Sequence, residues 1–201
     1  VRRCNAALLL SLLLWIEPAT AQDVTVHPLK VSVHEAINSP SIQNTVEGIL
    51  KEASRLLQTQ DDDKDVSCNV ELKLDGQVTT FGSSPAVPAD IKDAKSLEAV
   101  HQVPADVKIV RSITFCVGEP QGVFGCSWRP KGLRKTMIVT LVGTGSGMEG
   151  VLWAHEFGHT TGLMHRKDRD GLALMTPEIE AFHRDVTKKE CRQFVAGRLK
   201  K

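Results

Sequence analysis

The sequence contains no tyrosine, and only six Phe and three Trp in 201 residues. Its core must therefore be built mainly from aliphatic side chains, and no site in it can use a phenol as acid, donor or metal ligand. Neither sign of charge is in excess: 25 Lys and Arg against 24 Asp and Glu leave a formal net charge of +1. Such a balance sets up no global field for nucleic acid or an anionic membrane, and neither is expected as a partner. Beyond residue 16 no apolar run approaches the roughly 20 residues that span a bilayer, so stable membrane insertion is not expected. No internal repeat and no shift in composition marks a second domain, and the length suits one core.

The first residues read as a leader. Arg2 and Arg3 precede an apolar run over residues 6–16, Pro18 breaks it, and Ala19-Thr20-Ala21 offers a small-x-small cleavage site. Residues 1–21 are expected to be a secretory signal peptide, and residues 22–201 the exported domain, extracellular or periplasmic. Of five cysteines, Cys4 lies in the leader, which leaves Cys68, Cys116, Cys126 and Cys191. An even number in an oxidising compartment points to two disulfides. Of the three pairings available, Cys116–Cys126 with Cys68–Cys191 is favoured. The first pair flanks a turn at residues 118–122, where facing hairpin strands bring side chains together, and the second follows by elimination.

Alternation over residues 24–33 predicts a strand bent near Pro28. Ile42, Val46, Ile49, Leu50, Ala53, Leu56 and Leu57 fall on one helical face, with Ser39 or Ser41 as N-cap. The acidic run at 61–65 reads as a solvated loop. Residues 66–74 predict a strand, Asp75-Gly76 a hairpin turn, and residues 78–81 its return. A short helix is expected around 90–100 and strands at 107–117, 122–128 and 136–142. A Gly-rich stretch at 143–150 leads into a further helix. Thr187-Lys188-Lys189-Glu190 has the form of a capping box before a final helix, whose apolar face is Cys191, Phe194, Val195 and Leu199. The order gives an α+β layout, not a regular alternation of strand and helix.

The chemistry concentrates in His155-Glu156-Phe157-Gly158-His159. Two His four apart stand on one helical face and can reach a single metal ion. Imidazole nitrogen suits Zn²⁺, and a catalytic zinc needs three protein ligands and one open position. Glu156, beside the first ligand, is placed as general base toward a water that the metal acidifies. The third ligand is assigned to His165. On a continuous helix it would lie about 9 Å beyond His159 and on another face. A glycine at 162 that takes positive φ would end the helix and fold His165 back to the same ion.

The string His155-Glu156-x-x-His159-x-x-Gly162-x-x-His165 resembles the long zinc motif of the metzincin metalloendopeptidases. Leu174-Met175-Thr176-Pro177 is similar to their Met-turn. The resemblance implies a twisted mixed β-sheet packed on helices, an active-site helix, and a C-terminal helix. It implies one catalytic Zn²⁺ on His155, His159 and His165, Glu156 as the catalytic residue, and a protein or peptide as substrate. The short interval to the Met and the Met-x-Pro ending look most like a divergent, matrixin-like bacterial member. Two positions depart from the family: Arg166 follows the third His, matching no subfamily marker, and Pro177 stands where astacins and serralysins carry a zinc-binding Tyr.

Other features weigh less. Asp168-x-Asp170-Gly171 offers two carboxylates to Ca²⁺ but lacks the later ligands of an EF-hand, and reads first as a solvated loop. His27, His34, His101 and His183 have no ligand spacing and are expected to be structural or exposed, and Trp153 to be core. The function expected is a secreted zinc endopeptidase. Its rivals are a zinc hydrolase acting on cell-wall peptides and a non-catalytic zinc-containing binding module.

Overall fold

In the computed structural model, the described residues are 23–59, 67–84, 87–117, 122–127, 136–143, 147–167 and 171–197. The leader, the acidic run at 61–65, residues 118–121 of the turn at 118–122, Asp168 with Asp170, and Leu199 lie outside them. The strands are β1 (Thr25–Leu29), β2 (Val31–His34), β3 (Val70–Leu74), β4 (Thr79–Phe81), β5 (Asp90–Ile91), β6 (Val107–Val110), β7 (Ser112–Ile113), β8 (Gly125–Cys126) and β9 (Met137–Thr140). The helices are α1 (Ile42–Gln58), α2 (Ala94–His101), α3 (Met148–Thr161) and α4 (Lys188–Ala196).

The main sheet runs β4-β2-β6-β9-β8 and is parallel except for β8, an antiparallel edge. Its three inner strands, β2, β6 and β9, are buried on both faces, and alternate residues serve different cores. Val107, Ile109, Met137 and Val139 join α1, α3 and α4 in the larger apolar cluster. Val110 and Ile138 join Leu97 and Val100 of α2 and the small β5-β7 pair in the second. The fold is thus mixed α+β, with helices on both sides of the sheet. Among the described residues no helix is long and apolar enough to cross a membrane.

Helices fall where periodicity places them. The seven apolar positions read for α1 are all buried. Ser41 occupies its N-cap position but makes no side-chain capping bond. The capping box before α4 forms, with Thr187 accepting from the Glu190 N–H and Glu190 from the Thr187 N–H.

Strand pairing departs from expectation in several places, for non-local reasons. The strand read at 24–33 is two strands in different sheets, and it breaks at Lys30, not Pro28. The Lys30 N–H donates to the Asp106 carboxylate and the Lys30 carbonyl accepts from Val107, while Pro28 sits inside the β1–β3 pairing. Residues 107–117 likewise divide, into β6 of the main sheet and β7 paired with β5. The β3–β4 hairpin does not form: β3 pairs with β1, Leu29 accepts the Asp75 N–H, and β4 crosses over to lie parallel to β2.

Both favoured disulfides are present. Cys68–Cys191 ties the entry of β3 to α4 across 123 residues of chain, and Cys116–Cys126 closes the segment that carries β8, with Cα separations of 4.7 and 6.0 Å. Two structural disulfides indicate an oxidising compartment. The route of the second differs from expectation, because β8 pairs with β9 and not with β7.

Two measurements check this account. Replacing Cys68 and Cys191 together by Ser releases a long loop in the unfolded chain, and urea unfolding should show a loss of roughly 3–5 kcal/mol. The second concerns His101, which is buried with its Nδ1 3.0 Å from Thr136 Oγ1. Burial, and then the Lys108 ammonium, push its pKa from 6.5 to about 4. Between those values the unfolded chain binds a proton that the folded chain refuses, so His101 costs stability as pH falls through that window. The stability difference between wild type and His101→Gln should therefore shift against wild type by up to about 1.4 kcal/mol per pH unit there, and stay flat above pH 7.

Candidate metal centre and its cleft

Helix α3 runs through the larger core, and twelve of its fourteen residues are buried. Glu149 fixes its start: Oε1 accepts the N–H groups of Val142 and Gly143 at 2.7 and 2.9 Å, holding the end of β9 against the first turn. Gly162 fixes its end. It has φ 102°, and the Leu163 N–H donates back to the Gly158 carbonyl. Only glycine takes that conformation without strain, and it turns the chain so that His165 returns to the helix face.

The three His meet as the spacing requires. Nε2 of His159 lies 2.9 Å from Nε2 of His155 and 3.1 Å from Nε2 of His165. All three donor nitrogens lie within 4.8 Å of one another. Two nitrogens on one tetrahedral zinc stand about 3.3 Å apart, so the spacing fits such an ion. His155 is buried, His159 intermediate and His165 exposed, so the group opens to solvent on one side.

Backbone carbonyls set the tautomers. His155 Nδ1 is 2.8 Å from the Leu174 carbonyl, and His159 Nδ1 is 2.9 Å from that of Leu163. A carbonyl can only accept, so each Nδ1 carries a hydrogen and each Nε2 presents a lone pair to the centre. Burial, reinforced by His159, His165 and His183, lowers the His155 pKa to about 3, while its bond to Leu174 works the other way. His155 is therefore neutral at pH 7. A proton at the centre would serve one pair of nitrogens; a divalent cation serves all three. The donor set thus fits a metal ion, and three imidazoles suit zinc.

The turn at 173–176 supports the group from below. Met175 is fully buried, and a Cβ on Gly158 would collide with its sulfur. The Met175 carbonyl accepts the Arg166 N–H at 2.7 Å, pinning the loop that carries His165. The Arg166 guanidinium bonds Glu190 Oε1 at 3.0 Å and the Asp185 carbonyl at 3.1 Å. Arg166 therefore clamps the loop that carries His165 to the first turn of α4.

Glu156 is 4% exposed and lines a cleft of about 620 Å³ together with the three His. One wall is the segment around β8, from Gly122 to Ser127; the other is residues 163–165 and 177–180. Ser127 Oγ donates to Glu156 Oε2 at 2.6 Å, a contact that no sequence signal announced. Three of the remaining His serve the backbone: His27 bonds the Phe194 carbonyl, His34 that of Val87, and His183 the 178–180 segment. Trp153 is core.

No family model matches this chain, and no curated protein matches it. Among solved structures, it is similar to a chain in "Structure of a chaperone-substrate complex", at 15% identity and a TM-score of 0.42. That match covers 78% of this chain and 28% of the other. A likeness at that level bears on neither fold nor function.

Two variants test the centre. His165→Ala leaves two ligands and should lose the metal, which elemental analysis after dialysis would read. Arg166→Met keeps the ligands but frees their loop. Metal affinity should fall about 10- to 100-fold, the range for losing support behind a ligand. Unchanged affinity would limit Arg166 to anchoring α4.

Proposed function

We propose that the protein is a secreted zinc-dependent endopeptidase of metzincin type, with His155, His159 and His165 as zinc ligands and Glu156 as general base. One observation carries this reading: three imidazole nitrogens converge at the floor of an open cleft, with a buried carboxylate from the next helical position beside them. When bound, zinc supplies Lewis acidity to a carbonyl and lowers the pKa of water. The buried turn at Met175 and the glycine-ended helix are further points in favour.

The chain's own residues then have distinct tasks. An extended substrate lies along the side of β8 away from β9, where backbone groups can pair with it as with another strand. Glu156 takes a proton from water on its carboxylate as the water oxygen attacks the scissile carbonyl carbon. When the C–N bond breaks, the same carboxylate returns that proton to the leaving amine nitrogen. Phe124 and Met164, both exposed at the cleft, offer apolar surface to flanking side chains.

The test compares wild type with Glu156→Gln, both shown to hold zinc, on a mixed peptide library read by mass spectrometry with and without a chelator. Glu156→Gln keeps the shape but cannot accept a proton. Activity should fall roughly 10²- to 10⁴-fold with zinc content unchanged. Equal, chelator-sensitive activity in both would remove Glu156 from the mechanism. Cleavage confined to cell-wall peptides would redirect the substrate, and no cleavage in wild type would favour a binding module.

A further inference from the structure

The edge strand β8 does more than border the cleft. Its two residues are followed directly by Ser127, whose Oγ lies 2.6 Å from Glu156 Oε2 and 3.0 Å from the Glu156 carbonyl. A hydroxyl has one hydrogen. The 2.6 Å contact has the length of an O–H group donating to a carboxylate, so the hydrogen goes there. Two residues earlier, Gly125 lies so close to the same side chain that a Cβ built on it would overlap the carboxylate, nearest to Oε1. Gly125 also lines the cleft. One carboxylate oxygen is thus held by a hydroxyl, and the carboxylate packs against the backbone of β8 in room that exists because residue 125 has no side chain. The segment is itself fixed, by pairing of Gly125 and Cys126 with Val139 and Ile138 and by the Cys116–Cys126 disulfide.

We propose that Ser127 is a positioning residue for Glu156: its hydroxyl holds Oε2 while Gly125 admits the carboxylate against β8, and together they set the direction from which the base meets the reacting water. This rests on the peptidase reading and adds to it the device that orients the base. A general base must have its acceptor oxygen within hydrogen-bond reach of the proton it removes. A glutamate has three rotatable side-chain bonds, so an unheld carboxylate spends part of its time elsewhere. Ser127 removes that freedom without carrying charge or touching the metal ligands.

The test uses zinc-loaded wild type, Ser127→Ala, Ser127→Thr and Gly125→Ala on a peptide that wild type cleaves, with zinc content measured for each. In Ser127→Ala, kcat should fall roughly 10- to 100-fold, the effect of losing a hydrogen bond to a charged group, with KM and zinc little changed. Ser127→Thr restores the hydroxyl and should recover most of the rate, which a purely structural role for the serine would not predict. Gly125→Ala places a methyl group against the carboxylate and should lower kcat while leaving Ser127 intact.

A second readout needs neither metal nor turnover. In zinc-free protein labelled with ¹³C at the glutamate carboxyls, the Glu156 resonance is assigned by its loss in Glu156→Gln. It should move in Ser127→Ala and return in Ser127→Thr. A kcat within twofold of wild type in Ser127→Ala, or an unmoved resonance, would overturn the proposal. If Ser127→Ala fails to fold, Gly125→Ala decides, and full activity there overturns it. If zinc-loaded wild type cleaves nothing, the peptidase reading fails and the catalytic role of Ser127 with it; the resonance then decides the hydrogen bond alone.

Discussion

The carbonyl oxygen of Leu174, 2.8 Å from Nδ1 of His155, governs much of what surrounds it. It fixes the hydrogen of that imidazole on the far side of the ring and leaves Nε2 as a lone pair. Leu163 does the same for His159. Two such nitrogens 2.9 Å apart repel unless positive charge lies between them. Because burial depresses protonation of His155, a bound cation is the arrangement that satisfies all three rings. The cost of bringing them together is met by packing elsewhere, in the larger apolar cluster.

That cost explains how tightly the supports are built. Helix α3 is buried on nearly every side, which would normally exclude His and Glu. It accepts them because each has a partner: Leu174 for His155, Leu163 for His159, Ser127 for Glu156. The turn at Met175 joins three of the parts. Leu174 orients a ligand, the Met175 sulfur packs on Gly158, and the Met175 carbonyl holds the loop carrying His165. Arg166 and Glu190 extend the chain of contacts to α4, and Cys68–Cys191 fastens α4 to β3. A displacement of α4 would therefore reach His165 through few intermediates.

What the sequence made legible was local. The i, i+4 spacing of His155 and His159, the helix end at Gly162 and the capping box at Thr187 each depend on a few neighbouring residues, and each was read as it stands. Strand partners were not legible, because pairing is decided far along the chain. Asp75-Gly76 has the composition of a hairpin turn, yet β3 was already matched to β1 in parallel register. The break at Lys30 depends on Asp106, 76 residues away. Cys116–Cys126 was assigned on a hairpin; what forms among the described residues is one backbone bond from the Val123 N–H to Ile113, with β9 as the strand partner of β8. Ser127 was invisible for the same reason, since nothing near it in sequence points to Glu156.

The two positions that depart from the motif the sequence resembles also acquire a physical content. Arg166 reads as an anomaly if the position after the third His is taken as a subfamily marker. In this chain it is the residue whose main chain meets Met175 and whose side chain meets Glu190. The missing tyrosine places a different demand on the site. Without a phenol near the three His, the proposed proton transfers fall to carboxylates, and among the described residues three line the cleft: Glu156, Glu178 and Glu180. Glu178 and Glu180 are exposed on the far wall, where a charged side chain remains free to turn in water. Glu156 is 4% exposed, one residue from His155, and held by a hydroxyl. A base that must meet one water in one orientation needs its freedom removed before the reaction begins, and of the three only Glu156 has been placed under that constraint.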